Sequence, residues 1–180
     1  MIPGSVVRGR KNPLYVGFAR RLRSARSAAE LNGAALSTAA GLSHNAVAQL
    51  ELGERVPRLD TVAKLAKALA VSPCWLAFGV ELPCGRAADL AARGIGERLL
   101  LIRRERSLSR RALGRLSGTS DNFVQTTEAA TTVPNIANVE QLAKALNVSV
   151  CWLAFGIGQA ELPSGRRVRS DTPPAPDPHA

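Results

Sequence analysis

An internal repeat limits the folds that are open to this chain. The hexapeptide Cys-Trp-Leu-Ala-Phe-Gly stands at residues 74–79 and again at residues 151–156. Moving the chain by 77 positions aligns residues 17–79 (copy one) with residues 94–156 (copy two) without a gap, and 28 of the 63 aligned pairs are identical. Two copies of this length, each able to close a modest core of its own, predict tandem domains and not a solenoid.

Helical periodicity dominates both copies. Apolar residues fall at three- and four-residue spacing, as at Phe18, Leu22 and Ala25, and no strand-like alternation of useful length appears. The pattern predicts an all-α fold with five helices in each copy. The helices are expected at residues 16–29, 33–40, 44–52, 59–69 and 73–78, and at residues 94–106, 110–117, 121–129, 136–146 and 150–155.

Residues that begin or end helices agree with this division. Gly41 and Gly118 lie where one helix must stop and the chain turn sharply into the next, which favours a residue tolerant of positive φ. N-cap side chains accept hydrogen bonds from the first free amides of a helix, and proline fits the first turn. The expected residues are Asn32 and Ser109 before the second helices, Ser43 and Ser120 before the third helices, and Pro73 in the fifth.

The charge balance indicates a polyanionic partner. The chain has 24 Lys and Arg against 14 Asp and Glu, a formal net charge of +10. Nucleic acid is the first candidate for a surplus of this size. A membrane surface is the weaker alternative, because no run approaches the ~20 apolar residues that span a bilayer and the basic helices carry no Trp or Phe insertion face.

The cysteines and histidines argue against metal chemistry. Cys74, Cys84 and Cys151 form no Cys-x-x-Cys pair, and the two histidines are His44 and His179. We expect no metal site, no disulfide and no cofactor, and we interpret Cys74 and Cys151 as small hydrophobic residues beside a packed tryptophan. The N-terminus lacks the apolar segment of a secretory signal, so the chain is expected to stay in the reducing cytoplasm.

A family resemblance rests on the order of these features. Residues 31–76, LNGAALSTAAGLSHNAVAQLELGERVPRLDTVAKLAKALAVSPCWL, resemble the five-helix DNA-binding domain of phage repressors and Cro-like regulators, the xenobiotic-response-element (XRE) family of helix-turn-helix proteins. Copy two is similar to the family at its first helix and at its last two. The resemblance implies two tandem five-helix lambda-repressor-like helix-turn-helix domains, whose cores are closed by Trp75 and Trp152.

The implied domains are residues 15–79 and 94–157. Residues 1–14 are expected to be a basic N-terminal arm, residues 80–93 a linker, and residues 158–180 a basic and then Pro-rich disordered tail. The linker of 14 residues spans roughly 46 Å when extended at about 3.3 Å per residue. This exceeds the ~34 Å between successive major-groove faces, so one chain is expected to cover two half-sites as a covalent pseudo-dimer.

The resemblance implies that each third helix presents its first turn to the major groove. Amide side chains pair bidentately with adenine, and a methyl group contacts thymine. Asp121 has two interpretations that stay open: it accepts from a cytosine amino group, or it caps the helix and repels phosphate. The candidate base-reading residues are His44, Asn45, Ala48 and Gln49 in copy one, and Asp121, Asn122, Gln125 and Thr126 in copy two.

The family grips the DNA backbone with the start of its second helix and the loop after its third. Copy one supplies arginines from the loop and copy two supplies them from its second helix, although an ordinary solvated face is the alternative. The candidate phosphate-binding residues are Asn32, Ser43, Arg55, Arg58, Arg110, Arg111, Arg115 and Ser120. The resemblance assigns a structural role to two pairs that tie helix one to helix three, Arg26 with Glu51 and Arg103 with Glu128.

Copy two departs from the family pattern near its third helix. Ala130 replaces the glycine found at Gly53, and the sequence QTTEAATT at residues 125–132 is a poor helix former. We therefore expect the third helix of copy two to be shorter, or partly adapted to protein contact.

These observations predict a sequence-specific, double-stranded DNA-binding transcriptional regulator on an asymmetric operator, in the cytoplasm of a bacterium and associated with its nucleoid. One alternative is an architectural or accessory factor for recombination or plasmid maintenance. Another is an antitoxin-like adaptor, or a homodimer, whose second domain binds protein. An enzyme is the least expected class, because neither a nucleophile arrangement nor a phosphate-binding glycine loop occurs. We expect no membrane partner and no small-molecule ligand.

Overall fold

The computed structural model describes residues 13–53, 55–81 and 94–160, and these residues form ten α-helices and no β-strand. The predicted all-α fold is confirmed. The helices of copy one are α1 (Pro13–Ala28), α2 (Gly33–Ala39), α3 (Ala46–Glu51), α4 (Leu59–Ala68) and α5 (Pro73–Phe78). Those of copy two are α6 (Ile95–Glu105), α7 (Arg110–Ser117), α8 (Asp121–Glu128), α9 (Ile136–Leu146) and α10 (Val150–Phe155).

Several expectations fall on residues outside the described ranges. These are most of the N-terminal arm, most of the linker with Cys84, and the tail from residue 161 onward with His179. The tail was expected to begin at residue 158, but Ile157 and Ala160 pack against the core of copy two. Ala160 also accepts a backbone hydrogen bond from Ser149 at 2.8 Å, so the folded part of copy two reaches at least this residue.

Local signals in the sequence explain most helix boundaries. Asn32 and Ser109 accept hydrogen bonds from amides of α2 and α7 at 2.8 and 3.1 Å, as predicted. Pro73 is the first residue of α5. Gly41 and Gly118 have φ of +62° and +67°, which confirms the turn predicted between helices two and three.

The third helices differ from expectation in both copies. In copy one, α3 begins at Ala46, two residues later than predicted, and the Ser43 side chain does not cap it. In copy two, α8 spans Asp121–Glu128 and is two residues longer than α3, so the expectation of a shorter third helix is wrong. The reason is a local cap, because Ser120 accepts a hydrogen bond from the amide of Phe123 at 3.0 Å.

A buried arginine fastens helix one to helix five in each copy. Arg21 is 4% exposed and donates hydrogen bonds to the carbonyl oxygens of Leu76 and Ala77 at 3.0 and 2.9 Å. Arg98, its equivalent 77 residues later, is 3% exposed and makes the same two contacts with α10 at 3.0 and 2.9 Å. The charge lies at the C-terminal end of a short helix, where free carbonyls and the helix dipole favour a cation.

A second arginine in each copy ties helix one to helix three. Arg26 donates to both carboxylate oxygens of Glu51, at 2.6 and 3.1 Å. Arg103 donates in the same way to Glu128, which also accepts from Arg110 at 2.8 Å. Burial on its own raises the pKa of a carboxyl group, but the hydrogen bonds from the two arginines outweigh it and hold the pKa of Glu128 below its usual value.

The core is continuous through both copies. Trp75 is fully buried and Trp152 is 5% exposed, which confirms the predicted role of the hexapeptide in closing each core. Cys74 and Cys151, which precede these tryptophans in the sequence, are buried. The buried apolar residues of the two copies belong to one cluster, so the core that each copy closes joins the other where the copies meet.

The two copies meet through equivalent segments, residues 57–59 and 134–136, here called the contact segments. The amide of Leu59 donates to the carbonyl of Pro134 at 3.1 Å, and the amide of Ile136 donates to the carbonyl of Pro57 at 3.1 Å. Each bond becomes the other when 77 is added to or subtracted from its residue numbers. Such a reciprocal contact is the signature of an isologous, two-fold interface, formed here within one chain.

An aromatic pair repeats this relation between the fifth helices. Phe78 of α5 and Phe155 of α10 are equivalent residues, and their ring centroids lie 6.3 Å apart with the planes tilted by 51°. This distance and tilt suit an attractive contact between aromatic rings. The contact segments and the two phenylalanines therefore define a pseudo-two-fold axis that relates copy one to copy two.

The buried ion pair of copy two makes a prediction about stability. We expect Glu128→Gln to lower the free energy of unfolding by about 2–4 kcal/mol, because it leaves the charges of two arginines without their anion at a carboxyl that is 2% exposed. We expect the matched change Glu51→Gln to cost less, since the side chains of Glu51 and Arg26 are 11% and 19% exposed. Urea denaturation of the full chain at neutral pH measures both.

The pH dependence gives the same pair a separate test. A carboxyl with a lowered folded pKa contributes stability that is fully present above its unfolded pKa of about 4.3 and is lost as the pH falls through the folded pKa. The wild-type protein should lose this contribution below about pH 4.5, and Glu128→Gln should lack it. Parallel stability curves for the two proteins between pH 3 and 7 would contradict the assignment.

Candidate nucleic-acid interface

In copy one, the candidate base-reading residues lie on a turn and on the helix that follows it. His44 and Asn45 form the turn that precedes α3, and Ala48 and Gln49 lie on α3 itself. All four side chains are exposed, whereas Val47 and Leu50 of the same segment are buried, as predicted from helical spacing. Burial of the apolar face of this segment in the core therefore fixes its polar face toward the solvent.

A surface groove brings base-reading and phosphate-binding candidates of copy one together. It lies between α3 and the loop that leads to α4, and α4 forms its far wall. Arg58 is 57% exposed, with its Nε 3.5 Å from an oxygen of Asp60. Among the polar residues lining the groove are Ser43, Gln49, Arg55, Arg58 and Thr61.

In copy two, the corresponding surface is the first turns of a regular helix. Asp121, Asn122 and Gln125 of α8 are exposed. An oxygen of Asp121 accepts from the amide of the next residue, Asn122, at 3.0 Å, whereas the cap of α8 is Ser120. Thr126 is half-buried and donates its hydroxyl proton to the carbonyl of Phe123 at 3.1 Å, so it is the least available of the four candidates in copy two.

The phosphate-binding candidates of copy two are also unequal. Arg111 and Arg115 are exposed on α7. Arg110 is half-exposed and is held by Glu128, with 2.8 Å between its Nε and a carboxylate oxygen. In copy one, the comparable second partner of the glutamate is Arg23 of α1, whose Nε lies 3.6 Å from Glu51. Arg110 therefore joins α7 to α8 as well as lying on the surface.

The candidate capping residues divide in the same way. Asn32, Ser43 and Ser120 are exposed at helix starts. Asn32 and Ser120 use a side-chain oxygen to cap α2 and α8, while the carbonyl of Ser43 accepts from the amide of Ala46 at 2.8 Å. The free amides and side chains at such helix starts are suitable donors for phosphate oxygens.

Sequence reasoning missed two kinds of residue. The arginines Arg21 and Arg98 belong to the core, and an identical charged pair inside the apolar stripe of helix one was the available signal. The equivalent residues Ser37 and Gly114 lie on the second helix of each copy, on the side that faces the third helix. The sequence marks them only as a mismatch that directly follows the identical pair Leu36 and Leu113.

Two further findings bear on other classes of function. Within the ranges that the structure describes, no three His, Cys, Asp or Glu side chains are placed to hold a metal ion. In the same ranges, no helix combines the length and apolar character that crossing a membrane requires.

Comparison with known proteins follows the same division into two copies. The model of the family described as "Helix-turn-helix domain" matches residues 18–77 and again residues 95–153, about two thirds of the chain. Residues of this chain are 36% identical over 77 positions to the HTH-type transcriptional regulator PrtR of Pseudomonas aeruginosa. That match covers 43% of this chain and 30% of the regulator, so the chain spans less than a third of the relative's length.

Part of the chain is also similar to proteins of known structure. The P22 c2 repressor protein in complex with synthetic operator 9T is 33% identical, with a TM-score of 0.35, and the match covers 36% of this chain and 97% of the repressor. The restriction-modification controller protein C.AhdI from Aeromonas hydrophila is 37% identical, with a TM-score of 0.34, and the match covers 34% and 94% of the two chains. Because the family model matches both copies, the chain belongs to the helix-turn-helix family of DNA-binding regulators and carries the domain twice in tandem.

Proposed function

We propose that this protein is a sequence-specific transcriptional regulator that binds double-stranded DNA as a covalent pseudo-dimer on an asymmetric operator. The observation that carries the proposal is the reciprocal pair of backbone hydrogen bonds between the contact segments. Regulators of the helix-turn-helix type bind two half-sites as two-fold dimers, and the two-fold axis of the protein coincides with that of the DNA. In this chain, the two halves of such a dimer are copies one and two.

Direct packing between the copies supports a fixed spacing of half-sites. The linker at residues 80–93 is long enough to let two independent domains reach two half-sites, but the copies also share one apolar cluster. A rigid arrangement of α3 and α8 reduces the ordering cost of binding the second half-site. In this proposal, the contact between copies one and two takes the place of the contact between two subunits of a dimer.

Differences between the reading surfaces support an asymmetric operator. His44 and Asp121 are equivalent positions, one with an imidazole ring and the other with a carboxyl group, and Gln49 is matched by the half-buried Thr126. Asn45 and Asn122 are identical, yet one lies in a turn and the other within a helix. Two half-sites of the same sequence would leave at least one surface without matching base contacts.

The charged residues support different phosphate contacts on the two halves. Arg58 lies within the contact segment of copy one and Arg55 shortly before it, and Asn135 is opposite Arg58 across the pseudo-two-fold axis. Copy two has its exposed Arg111 and Arg115 on α7 instead. We propose that copy one grips the backbone near the operator centre and that copy two grips it through its second helix.

The alternatives have less support. The antitoxin-like adaptor rested on a weak third helix in copy two, and α8 is instead a capped helix of 8 residues. An architectural factor would bind arrays of sites or bend DNA without one defined operator, and the experiments below separate it from a regulator. The proposed place of action is the bacterial DNA of the cytoplasm.

Selection of bound sequences from random duplex DNA by the full chain, followed by footprinting, tests the proposal directly. We expect one bipartite site with two different half-sites over about two helical turns, because two unlike surfaces are held about one axis. A single short half-site, or its perfect palindrome, would show that copy two does not read bases.

Paired variants assign each half-site to its copy. We expect Asn45→Ala with Gln49→Ala to relax base preference in one half-site only, by about tenfold or more in affinity for the selected operator. Asn122→Ala with Gln125→Ala should relax the other half-site. Repeating the selection with each double variant measures the preference at both half-sites. Each double variant is the matched control for the other, because a general loss of binding would affect both half-sites in both variants.

Operator spacing tests whether the pseudo-dimer is rigid. Two base pairs inserted between the half-sites rotate one of them by about 70° around the DNA axis. We expect this to remove the advantage of linked binding, a loss of about 10²-fold or more, because α3 and α8 cannot turn to follow. Titration of the full chain against the original and lengthened operators measures the loss, and nearly equal affinities would mean that the copies bind as freely tethered domains.

Salt dependence tests the phosphate contacts. With about 6–10 phosphate contacts, the affinity for the selected operator should fall by about 10³–10⁵ between 50 and 200 mM salt. Arg111→Gln with Arg115→Gln should make the plot of log affinity against log salt less steep without changing base preference. Nearly flat binding over this range would contradict recognition driven by phosphate.

A further inference from the structure

We infer that residue 37 in copy one, and its equivalent residue 114 in copy two, set where the third helix begins and so determine which backbone presents the base-reading residues. This inference rests on the proposed function, since it assigns a cause to the different reading surfaces of the two copies. Ser37 and Gly114 are positioning residues, because both are buried and neither lies on the exposed face.

The hydrogen bonds around the start of helix three differ between the copies. In copy two, the amide of Val124 donates to the carbonyl of Ser120 at 3.1 Å, which is the first bond of a regular helix. In copy one, the amide of the equivalent Val47 donates to the Ser37 hydroxyl oxygen at 3.3 Å. The carbonyl of Ser43 accepts instead from Ala46, one residue earlier, at 2.8 Å.

The Ser37 hydroxyl therefore replaces a helical acceptor. Its own proton is donated to the carbonyl of Gly33 at 2.8 Å, so the side chain is fixed within α2. Ser37 is fully buried, and the amide of Val47 would otherwise need a partner from the turn. The hydroxyl thereby gives the Val47 amide a partner where the chain forms a turn at His44 and Asn45 in place of the first turn of a helix.

The space around Gly114 explains why copy two adopts the other form. A Cβ atom added at Gly114 would lie 3.1 Å from the carbonyl oxygen of Thr119, from the carbonyl carbon of Ser120 and from the amide nitrogen of Asp121. These are backbone atoms at the start of α8, so a side chain at residue 114 would push the turn outward. Glycine allows the close approach, and Ser120 then caps the helix.

The consequence is a different display of the one reading residue that the copies share. Asn45 has φ −95° and ψ 4°, a turn conformation before α3, while Asn122 is the second residue of α8. Bidentate pairing of an amide with a base edge depends on where its Cβ points. The same asparagine is therefore expected to contact its half-site differently in the two copies.

Reciprocal substitutions in the full chain test the inference. We expect Ser37→Gly to give helical backbone chemical shifts at residues 44 and 45 and to change base preference at the copy one half-site by about tenfold at one or more positions. The copy two half-site should keep its preference. Gly114→Ser, the opposite change, should remove the helical shifts at residues 121 and 122 and alter only the copy two half-site.

The conservative variant separates steric from general effects. Ser37→Ala keeps the Cβ that holds the turn away but removes the hydroxyl, so it should lower the Tm while residues 44 and 45 remain non-helical and base preference stays as in the wild type. A change of preference in Ser37→Ala equal to that in Ser37→Gly would overturn the steric part of the inference.

The possible failures are distinguishable. If the wild-type chain selects no sequence, the proposed function fails. If the wild type selects a bipartite site and neither Ser37→Gly nor Gly114→Ser changes the preference of its own half, the proposed function stands and this inference is overturned. Loss of binding at both half-sites with unchanged shifts at residues 44 and 45 would also overturn it.

Discussion

The contact between equivalent segments of the two copies is the constraint on which the rest of the arrangement depends. Two backbone hydrogen bonds join residues 57–59 to residues 134–136, and Phe78 packs on Phe155 near the same axis. Each hydrogen bond contributes only about 0.5–1.5 kcal/mol net, so the buried Leu59 and Ile136 at the same place supply more of the stability. The hydrogen bonds instead give register, because they are satisfied only when each segment faces its own equivalent. Relative placement of the copies then follows from a local pairing.

Features decided within a few residues could be predicted from the sequence. The caps at Asn32 and Ser109, the left-handed glycines at Gly41 and Gly118 and the buried Trp75 all follow from local chemistry or from helical spacing. The exposed face of helix three, which carries most of the proposed reading residues, could also be predicted from helical spacing. Once the buried positions of this helix are assigned, only a few positions remain that can face the solvent. Most of these signals occur twice, 77 residues apart, and the second occurrence supported the prediction made from the first.

Features that depend on contacts between distant segments could not be predicted in this way. The pairing of the contact segments uses backbone groups, which every sequence carries, so no side-chain pattern marks it. Arg21 and Arg98 have the composition of surface residues, and only the carbonyl groups at the ends of α5 and α10 make their burial favourable. The late start of α3 goes with a contact between the Ser37 hydroxyl of α2 and the amide of Val47, ten residues further along the chain.

Where the two copies touch, their buried side chains are identical or similar, and Arg58 and Asn135, which differ, face each other through their backbones. Pro57 and Pro134 are identical, as are Phe78 and Phe155, while Leu59 and Ile136 are similar in volume and buried alike. The reading surfaces differ at His44 and Asp121, and again where Arg55 is matched by Thr132. Since the contact across the axis uses backbone and apolar groups, a change in an exposed polar residue of helix three leaves it intact. A chain that carries both copies can therefore vary one proposed reading surface alone, which two identical subunits cannot do because each substitution appears in both.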